Sequence, residues 1–121
     1  MKNRFENKVV IVTGASSGIG KAIAREFAAN GSKVILAARS EEKLSKIVDE
    51  ILAKNQKASY VVTDVTKEDD CRNLVLRTIE KYGSIDILIN NAGISMRAAF
   101  HDVDIKVLHT LMNVNFWGTV Y

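Results

Sequence analysis

The chain has 121 residues, of which 47% are hydrophobic and 26% are charged. This length and composition predict one globular domain and exclude a disordered or collagen-like protein. The single cysteine excludes a disulfide within the chain. The net charge of +3 comes from scattered lysines and arginines, which are too diffuse for a nucleic-acid-binding surface. Because no signal-peptide pattern and no run of about 20 apolar residues is present, we expect a cytoplasmic protein.

Four short apolar runs recur about every 25 residues and predict four β-strands. Each run is rich in β-branched residues and lacks polar alternation, which is typical of strands buried on both faces of a parallel sheet. The strands are expected at residues 9–12, 34–38, 60–62 and 85–89. Helices are expected at residues 19–30, 41–54 and 67–82, with a last helix from about residue 104 to the end.

Polar residues and glycines mark the ends of these helices. Ser40 is expected to cap the second helix, and Thr66 with Asp69 to form a capping box for the third. Gly31 and Gly83 stand where the first and third helices should end. The alternating order of elements predicts an α/β fold, a doubly wound parallel sheet with helices on both faces.

The end of the chain is unusual for a complete domain. The last predicted helix is strongly apolar and has no cap or polar tail. The fourth strand has the composition of a central strand, yet no further strand is expected beside it, and an open apolar edge favours aggregation. We therefore expect either that the chain is the front part of a larger domain or that a partner covers this edge.

A glycine-rich turn follows the first strand and leads directly into the first helix. Residues 13–20 have the sequence Thr-Gly-Ala-Ser-Ser-Gly-Ile-Gly. Glycines let the backbone turn sharply and approach a pyrophosphate, whose charge the free N–H groups and the dipole of the helix attract. A dinucleotide site is therefore predicted, although the commonest fingerprint has a different glycine spacing. The alternative is a turn that only packs the helix on the strand.

The end of the second strand bears on which dinucleotide would bind. A carboxylate about 20 residues beyond the glycines normally holds the ribose 2′-hydroxyl of NAD. Ala38 stands there instead, followed by Arg39 and Ser40, whose guanidinium and hydroxyl suit a 2′-phosphate. We therefore predict NADP(H) over NAD(H). The alternative is that Arg39 is only a solvated surface charge.

Three further blocks follow the glycine turn in the order found in a known family. They are Asp64-Val65 after the third strand, Asn-Asn-Ala-Gly at residues 90–93 and Asn-Val-Asn-Phe-Trp-Gly at residues 113–118. Together the four blocks resemble the amino-terminal half of the short-chain dehydrogenase/reductase family. The resemblance implies a Rossmann-like sheet of four strands in order 3-2-1-4, with residues 1–121 as a single NAD(P)-binding domain truncated within the helix after strand four.

The resemblance also implies roles for individual residues. Asn115 corresponds to the family's catalytic asparagine and Asp64 to its adenine-contacting aspartate. Asn90 and Asn91 either tie neighbouring strand ends together or contact the cofactor, and both remain open. The residues expected to bind the cofactor are Gly14, Ser16, Ser17, Gly18, Ile19, Gly20, Arg39, Ser40, Asp64, Val65, Asn91, Ala92, Gly93 and Val114.

The family's catalytic serine and Tyr-x-x-x-Lys have no counterpart in this chain. The tyrosines are Tyr60, Tyr82 and Tyr121, and aspartates stand four residues after the first two. An unassisted tyrosine, with a pKa of about 10, is a poor proton partner near pH 7. The 121 residues are therefore expected to hold a cofactor without turning over substrate.

Two interpretations of the function remain. The first is an NADP-dependent parent enzyme that transfers hydride between nicotinamide and a small-molecule alcohol or carbonyl substrate of unspecified identity, as a homo-oligomer assembled through the last helix. The second is a non-catalytic nucleotide-binding or interaction module, natural or engineered. No metal site is expected, because His101 and His109 lack a ligand spacing, and Cys71 is expected to be inert.

Overall fold

The computed structural model describes residues 4–16, residues 18–91 and the backbone of residues 112–115. Within these residues the chain alternates between strands and helices. The elements are β1 Val9–Thr13, α1 Gly18–Ala29, β2 Lys33–Ala38, α2 Glu41–Ala53, β3 Lys57–Val62, α3 Glu68–Tyr82, β4 Ile87–Asn90 and β5 Met112–Asn115. The strands pair in parallel in the order β3-β2-β1-β4-β5. The predicted doubly wound sheet, with order 3-2-1-4 for its first four strands, is confirmed.

The fifth strand lies where the sequence predicts part of the last helix. Met112–Asn115 runs beside β4, with Val114 opposite Ile89 and Asn115 opposite Asn90. The prediction of a continuous helix is therefore wrong for this segment. The four residues, Met-Asn-Val-Asn, are too short a segment to favour either state by composition, and a strand here pairs backbone groups of β4 that would otherwise form an open sheet edge. The rest of that predicted helix lies outside the described residues.

The middle strand, β1, belongs to the cores on both faces of the sheet. All of its residues are buried, with at most 2% of their surface exposed. Successive side chains of a strand point to opposite faces. Val10 and Val12 therefore join the apolar cluster under α1 and α2, whereas Ile11 joins the cluster under α3. This burial on both faces explains the unbroken apolar run in the sequence.

A buried carboxylate sets the start of β4 against β1. Asp86 accepts a hydrogen bond from the Val9 N–H at 2.9 Å, and its own N–H donates to the Val9 carbonyl at 2.9 Å. The side chain thus extends the parallel ladder by one bond at the end of the sheet where the strands begin. Among the described residues, no helix has both the length and the apolarity that crossing a membrane requires.

Three of the predicted helix ends are confirmed. Gly31 follows the end of α1 with a φ of 87°, in the left-handed region that favours glycine. The Ser40 Oγ accepts a hydrogen bond from the Lys43 N–H at 3.3 Å and caps α2. Gly83 ends α3 with a φ of 81°, in the left-handed region that favours glycine, and its N–H donates to the Ile79 carbonyl.

The predicted capping box of α3 is wrong. The helix begins at Glu68, and its N-cap is Lys67, which makes no side-chain capping bond. Thr66 lies one residue too early for that position. Its hydroxyl donates instead to the Asp64 carboxylate at 2.6 Å, because a charged acceptor two residues upstream competes successfully for the hydroxyl.

Candidate functional site

A pocket of about 340 Å³ opens where β1, β2 and β3 end. In open parallel sheets, ligands bind at this carboxyl edge. The pocket is lined by six of the residues that the sequence analysis predicts to bind the cofactor. Its lining residues are Gly14, Ser16, Ala38, Arg39, Ser40, Thr63, Asp64, Val65 and Thr66.

The three glycines of the turn have different surroundings. A Cβ on Gly20 would lie 2.8 Å from the Gly14 carbonyl carbon, and a Cβ on Gly14 would lie 3.0 Å from Nδ2 of Asn91. Gly18 has a φ of 60°, and a Cβ there would meet no described atom within 4 Å. Gly14 and Gly20 therefore permit close packing inside the turn, whereas Gly18 leaves open space in front of α1, where an anion would meet the positive end of the helix.

Thr13, to which the sequence analysis gave no role, joins the ends of β1 and β4. Its Oγ1 accepts a hydrogen bond from the Asn91 N–H at 2.9 Å and donates to the Ile89 carbonyl at 3.4 Å. The side chain is fully buried, so neither bond competes with water. Thr13 therefore fixes Asn91 beside Gly14. The signals in the sequence are a hydroxyl residue at the end of an apolar strand and its place as the first residue of the glycine-rich turn.

The opposite wall of the pocket is a loop at residues 63–66, which we name the β3 loop. The Asp64 Oδ1 accepts hydrogen bonds from the Thr66 N–H at 2.9 Å and from the Thr66 hydroxyl. These bonds, helped by the nearby charges of Arg39 and Lys67, hold the pKa of Asp64 below its usual value. The carboxylate is therefore ionised at neutral pH. Within the described residues its other oxygen, Oδ2, has no hydrogen-bond partner.

Arg39 places the positive charge of the pocket beside the end of β2. It is exposed and has no ion-pair partner among the described residues. Ala38, the last residue of β2, brings no carboxylate to the position that would face a ribose. The pocket therefore offers a free guanidinium next to the Ser40 hydroxyl, which already accepts the capping bond of α2.

Comparison with known proteins assigns the family. The sequence model of the short chain dehydrogenase family matches residues 8–121. The chain belongs to the short-chain dehydrogenase family. The uncharacterized oxidoreductase YxnA of Bacillus subtilis (strain 168) is 39% identical over 118 residues, which cover 98% of this chain and 33% of that protein.

Solved structures of this family show the same fold. A short-chain dehydrogenase/reductase from Burkholderia phymatum in complex with NAD matches with a TM-score of 0.71 and 37% identity, over 74% of this chain and 32% of its own. L-Sorbose reductase from Gluconobacter frateurii, complexed with NADPH and L-sorbose, matches with a TM-score of 0.72 and 35% identity, over 78% and 36%. This member of the short-chain dehydrogenase family thus spans about a third of the length of each of these relatives.

Several predicted site residues of this short-chain dehydrogenase chain lie away from the pocket or outside the described part. Ile19 follows Gly18 in α1 and is 48% exposed. Val114 and Asn115 are in β5, where the backbone of Asn115 is in register with Asn90 at the carboxyl edge. Ser17, Ala92, Gly93, His101 and His109 lie outside the described residues, as does most of the last predicted helix, through which oligomers were expected to form.

Cys71 is a buried helix residue next to the pocket wall. Its Sγ lies 3.6 Å from the Val65 carbonyl oxygen. Burial raises the pKa of the thiol, and the negative charges of Asp70, Asp64 and Glu68 raise it further. The thiol is therefore protonated at neutral pH and donates weakly to Val65. In the part of the chain that the structure describes, no three potential metal ligands come together.

Proposed function

We propose that this chain is the cofactor-binding part of an NADP-dependent short-chain dehydrogenase/reductase. The complete enzyme would interconvert an alcohol and a carbonyl compound by hydride transfer, which is the chemistry that a nicotinamide supplies when bound. The observation on which the cofactor choice rests is the free guanidinium of Arg39 at the rim of a pocket that has no carboxylate at Ala38. Because one related structure holds NAD and another NADPH, the choice depends on this chain's own residues.

The pyrophosphate would bind at the start of α1. There Gly18 leaves room for close approach, and the first N–H groups of the helix have no partner within it. Fixed N–H dipoles and the macrodipole stabilise a diphosphate without any lysine in contact. Gly20 contributes indirectly, because the absence of a Cβ at this residue lets α1 pack closely against the backbone of Gly14.

The adenine would bind against the β3 loop. Among the described residues, the Val65 N–H and the Asp64 Oδ2 have no partner, and both residues line the pocket. One donor next to one acceptor is complementary to adenine, whose ring N1 accepts and whose exocyclic amine donates. The lowered pKa of Asp64 keeps the acceptor charged, which strengthens a bond to the amine.

The 2′-phosphate of NADP would bind between Arg39 and the hydroxyl of Ser40. A guanidinium is charged at all accessible pH values and presents several donors in one plane, which suits a phosphate monoester. In NAD a ribose hydroxyl replaces this phosphate and offers Arg39 no charge. We therefore expect the difference in affinity to come from this one contact.

The proton partner for hydride transfer is not among these residues. The only tyrosines are Tyr60, Tyr82 and Tyr121, and aspartates stand four residues after the first two. We infer that a Ser and a Tyr-x-x-x-Lys follow in the complete enzyme and that Asn115 joins them. The homo-oligomer and the cytoplasmic location remain predictions.

The test is a pair of titrations with NADPH and NADH, followed by the quenching of protein fluorescence. We expect NADPH to bind at least about tenfold more tightly, since a charged hydrogen bond contributes about 1.5–3 kcal/mol. Arg39→Asp should remove or reverse this preference. Arg77→Asp changes the net charge equally on α3, outside the pocket, and should leave it unchanged.

Each outcome decides a different part of the proposal. Equal affinities in the unmodified protein would contradict the role of Arg39 and Ser40. Binding of neither dinucleotide would contradict the nucleotide-binding function itself. Oxidation of NADPH by the 121 residues with a panel of carbonyl compounds would contradict the inference that the proton partner lies elsewhere.

A further inference from the structure

The side chain of Asp70, in α3, forms a hydrogen bond with the backbone N–H of Asp64 in the β3 loop. The Asp70 Oδ2 accepts a hydrogen bond from the Asp64 N–H at 2.8 Å, six residues back along the chain. Asp70 is partly buried, whereas the neighbouring Glu68 and Asp69 are exposed and pair with Arg72 on the helix surface. All three acids suit the first turn of a helix. Only Asp70 is engaged with the β3 loop.

The next residue of α3 holds the loop at a second point. The Sγ of Cys71 lies 3.6 Å from the Val65 carbonyl oxygen, and the Lys67 N–H donates to the Asp64 carbonyl at 2.9 Å. The peptide groups on both sides of the Val65 N–H are therefore fixed by the start of α3. Two adjacent side chains and one backbone bond determine where this N–H points.

The contacts from α3 leave one backbone N–H group of residues 63–67 without an acceptor in the described part of the chain. Among the described residues, the N–H groups of residues 63, 64, 66 and 67 all have acceptors, and that of Val65 has none. Val65 is partly buried and lines the pocket. The neighbouring N–H groups are thus hydrogen-bonded within the protein, and in this segment the Val65 N–H is the one that remains available to a ligand.

We propose that Asp70 is a positioning residue for base recognition. By holding the Asp64 N–H, it fixes the Val65 N–H and the Asp64 carboxylate in the spacing that an adenine edge requires. This inference rests on the proposed nucleotide-binding function. It assigns the selection of adenine over other purines to a residue that does not itself line the pocket.

The expected consequence of losing Asp70 is a loss of selectivity. The loop retains its bonds from Thr63 to the Ala38 carbonyl and from Thr66 to Asp64. Since the Asp64 N–H is only partly buried, water can replace the carboxylate. The loop would remain folded, but the Val65 N–H would keep only two of its three anchors, those from Lys67 and Cys71, so its direction would be less restricted.

The experiment compares two dinucleotides that differ only at the base. The probes are NADPH and its hypoxanthine analogue, in which a carbonyl oxygen replaces the exocyclic amine and the ring nitrogen carries a proton. We expect the unmodified protein to prefer NADPH by about tenfold, because the analogue would face the Val65 N–H with a donor and the Asp64 carboxylate with an acceptor. Asp70→Ala should reduce this ratio to about threefold or less.

Two variants serve as controls. Asp69→Ala removes the same charge from the same helical turn, but the Asp69 side chain is 99% exposed and does not contact the β3 loop, so the ratio should be retained. Asp70→Asn keeps an acceptor oxygen at the same position and should also retain it. If Asp70→Ala does not fold, Asp70→Ser keeps a polar residue there but is too short to reach the Asp64 N–H, and should lower the ratio.

The outcomes separate this inference from the proposed function. An unchanged ratio in Asp70→Ala, or an equal weakening of both dinucleotides, would overturn the positioning role and leave the proposed function standing. Binding of neither dinucleotide by the unmodified protein would overturn both. A reduced ratio in Asp70→Ala, with the ratios of Asp69→Ala and Asp70→Asn intact, would establish the role.

Discussion

Different kinds of interaction hold the two walls of the pocket in place. The inner wall, at the end of β1, presents Gly14 to the pocket, and Thr13, Gly20 and Asn91 support it from outside the pocket through close backbone packing and a buried hydroxyl. The outer wall, at the ends of β2 and β3, consists of Arg39, Ser40 and the β3 loop, where exposed charges and short-range hydrogen bonds predominate. We expect the inner wall to determine whether a pocket forms and the outer wall to determine which dinucleotide binds.

The largest effect is expected from Gly20→Ala, at a residue that supports the inner wall. The new Cβ would collide with the backbone of Gly14, so α1 must move away from β1, at an expected cost of about 3 kcal/mol. Urea unfolding measures this cost. In Gly18→Ala the Cβ meets no described atom, so the expected loss is about 1–2 kcal/mol from the left-handed backbone, accompanied by weaker dinucleotide binding. A Gly20→Ala protein as stable as the unmodified one would contradict the packing described for the turn.

Thr13→Val should have the next largest effect. Valine matches the shape of threonine but leaves the Asn91 N–H without its acceptor, which costs about 1–3 kcal/mol. Thr13→Ser keeps the hydroxyl and should bind NADPH as well as the unmodified protein, whereas Thr13→Val should bind it less tightly. Urea unfolding and NADPH titration of both variants provide the measurement. Equal binding by the two would show that the hydroxyl has no part in shaping the pocket.

The strands also differ in how well the sequence predicts them. β1 and β2 could be predicted because burial on both faces leaves an unbroken apolar run. The first half of β3 was missed, since Lys57 and Ser59 on this outer strand are not fully buried. β5 was missed because its four residues are too short a segment to favour strand or helix by composition, and only the open edge of β4 decides between the two.

The site residues divide in the same way. The glycine turn and Asp64 could be found because each is a local motif at the end of a strand. Thr13 could not, since its partner Asn91 is 78 residues away. Asp70 could not be distinguished from Glu68 and Asp69, because the helix dipole accounts for all three acids equally well. Contacts between distant segments are the part that a single sequence does not contain.

If the 2′-phosphate binds as proposed, the outer wall should make NADPH binding depend on pH. A phosphate monoester gains its second proton near pH 6, so the attraction between Arg39 and the 2′-phosphate should weaken as the pH falls from 7.5 to 5. We expect a loss of about threefold to tenfold in NADPH affinity over this range. NADH lacks this phosphate, and Asp64 remains ionised because its pKa is lowered, so its affinity should stay constant. Parallel titrations at both pH values test this, and an equal pH dependence of the two dinucleotides would contradict the contact.

The smallest effect is expected from the titration of Asp64 itself. Because its pKa is lower in the folded protein, its hydrogen bonds stabilise the fold above the unfolded pKa of about 4 and are lost as the pH falls through the lower, folded value. Asp64→Asn should therefore flatten the dependence of the urea midpoint on pH below about 4 and leave the slope from pH 5 to 8 unchanged. Identical curves for the two proteins would contradict the hydrogen bonds from Thr66.

The central position of β1 has a consequence for hydrogen exchange. Its amides lie between β2 and β4 with both faces covered, so they should exchange only when the whole molecule unfolds. Amides of β3, which has one neighbouring strand among the described residues, should exchange through local opening. A ligand that binds only the folded state slows exchange in β1 by a factor of one plus the ratio of its concentration to its Kd. The slowest protons of β1 can therefore report the affinity for a dinucleotide in a chain that is not expected to turn over substrate.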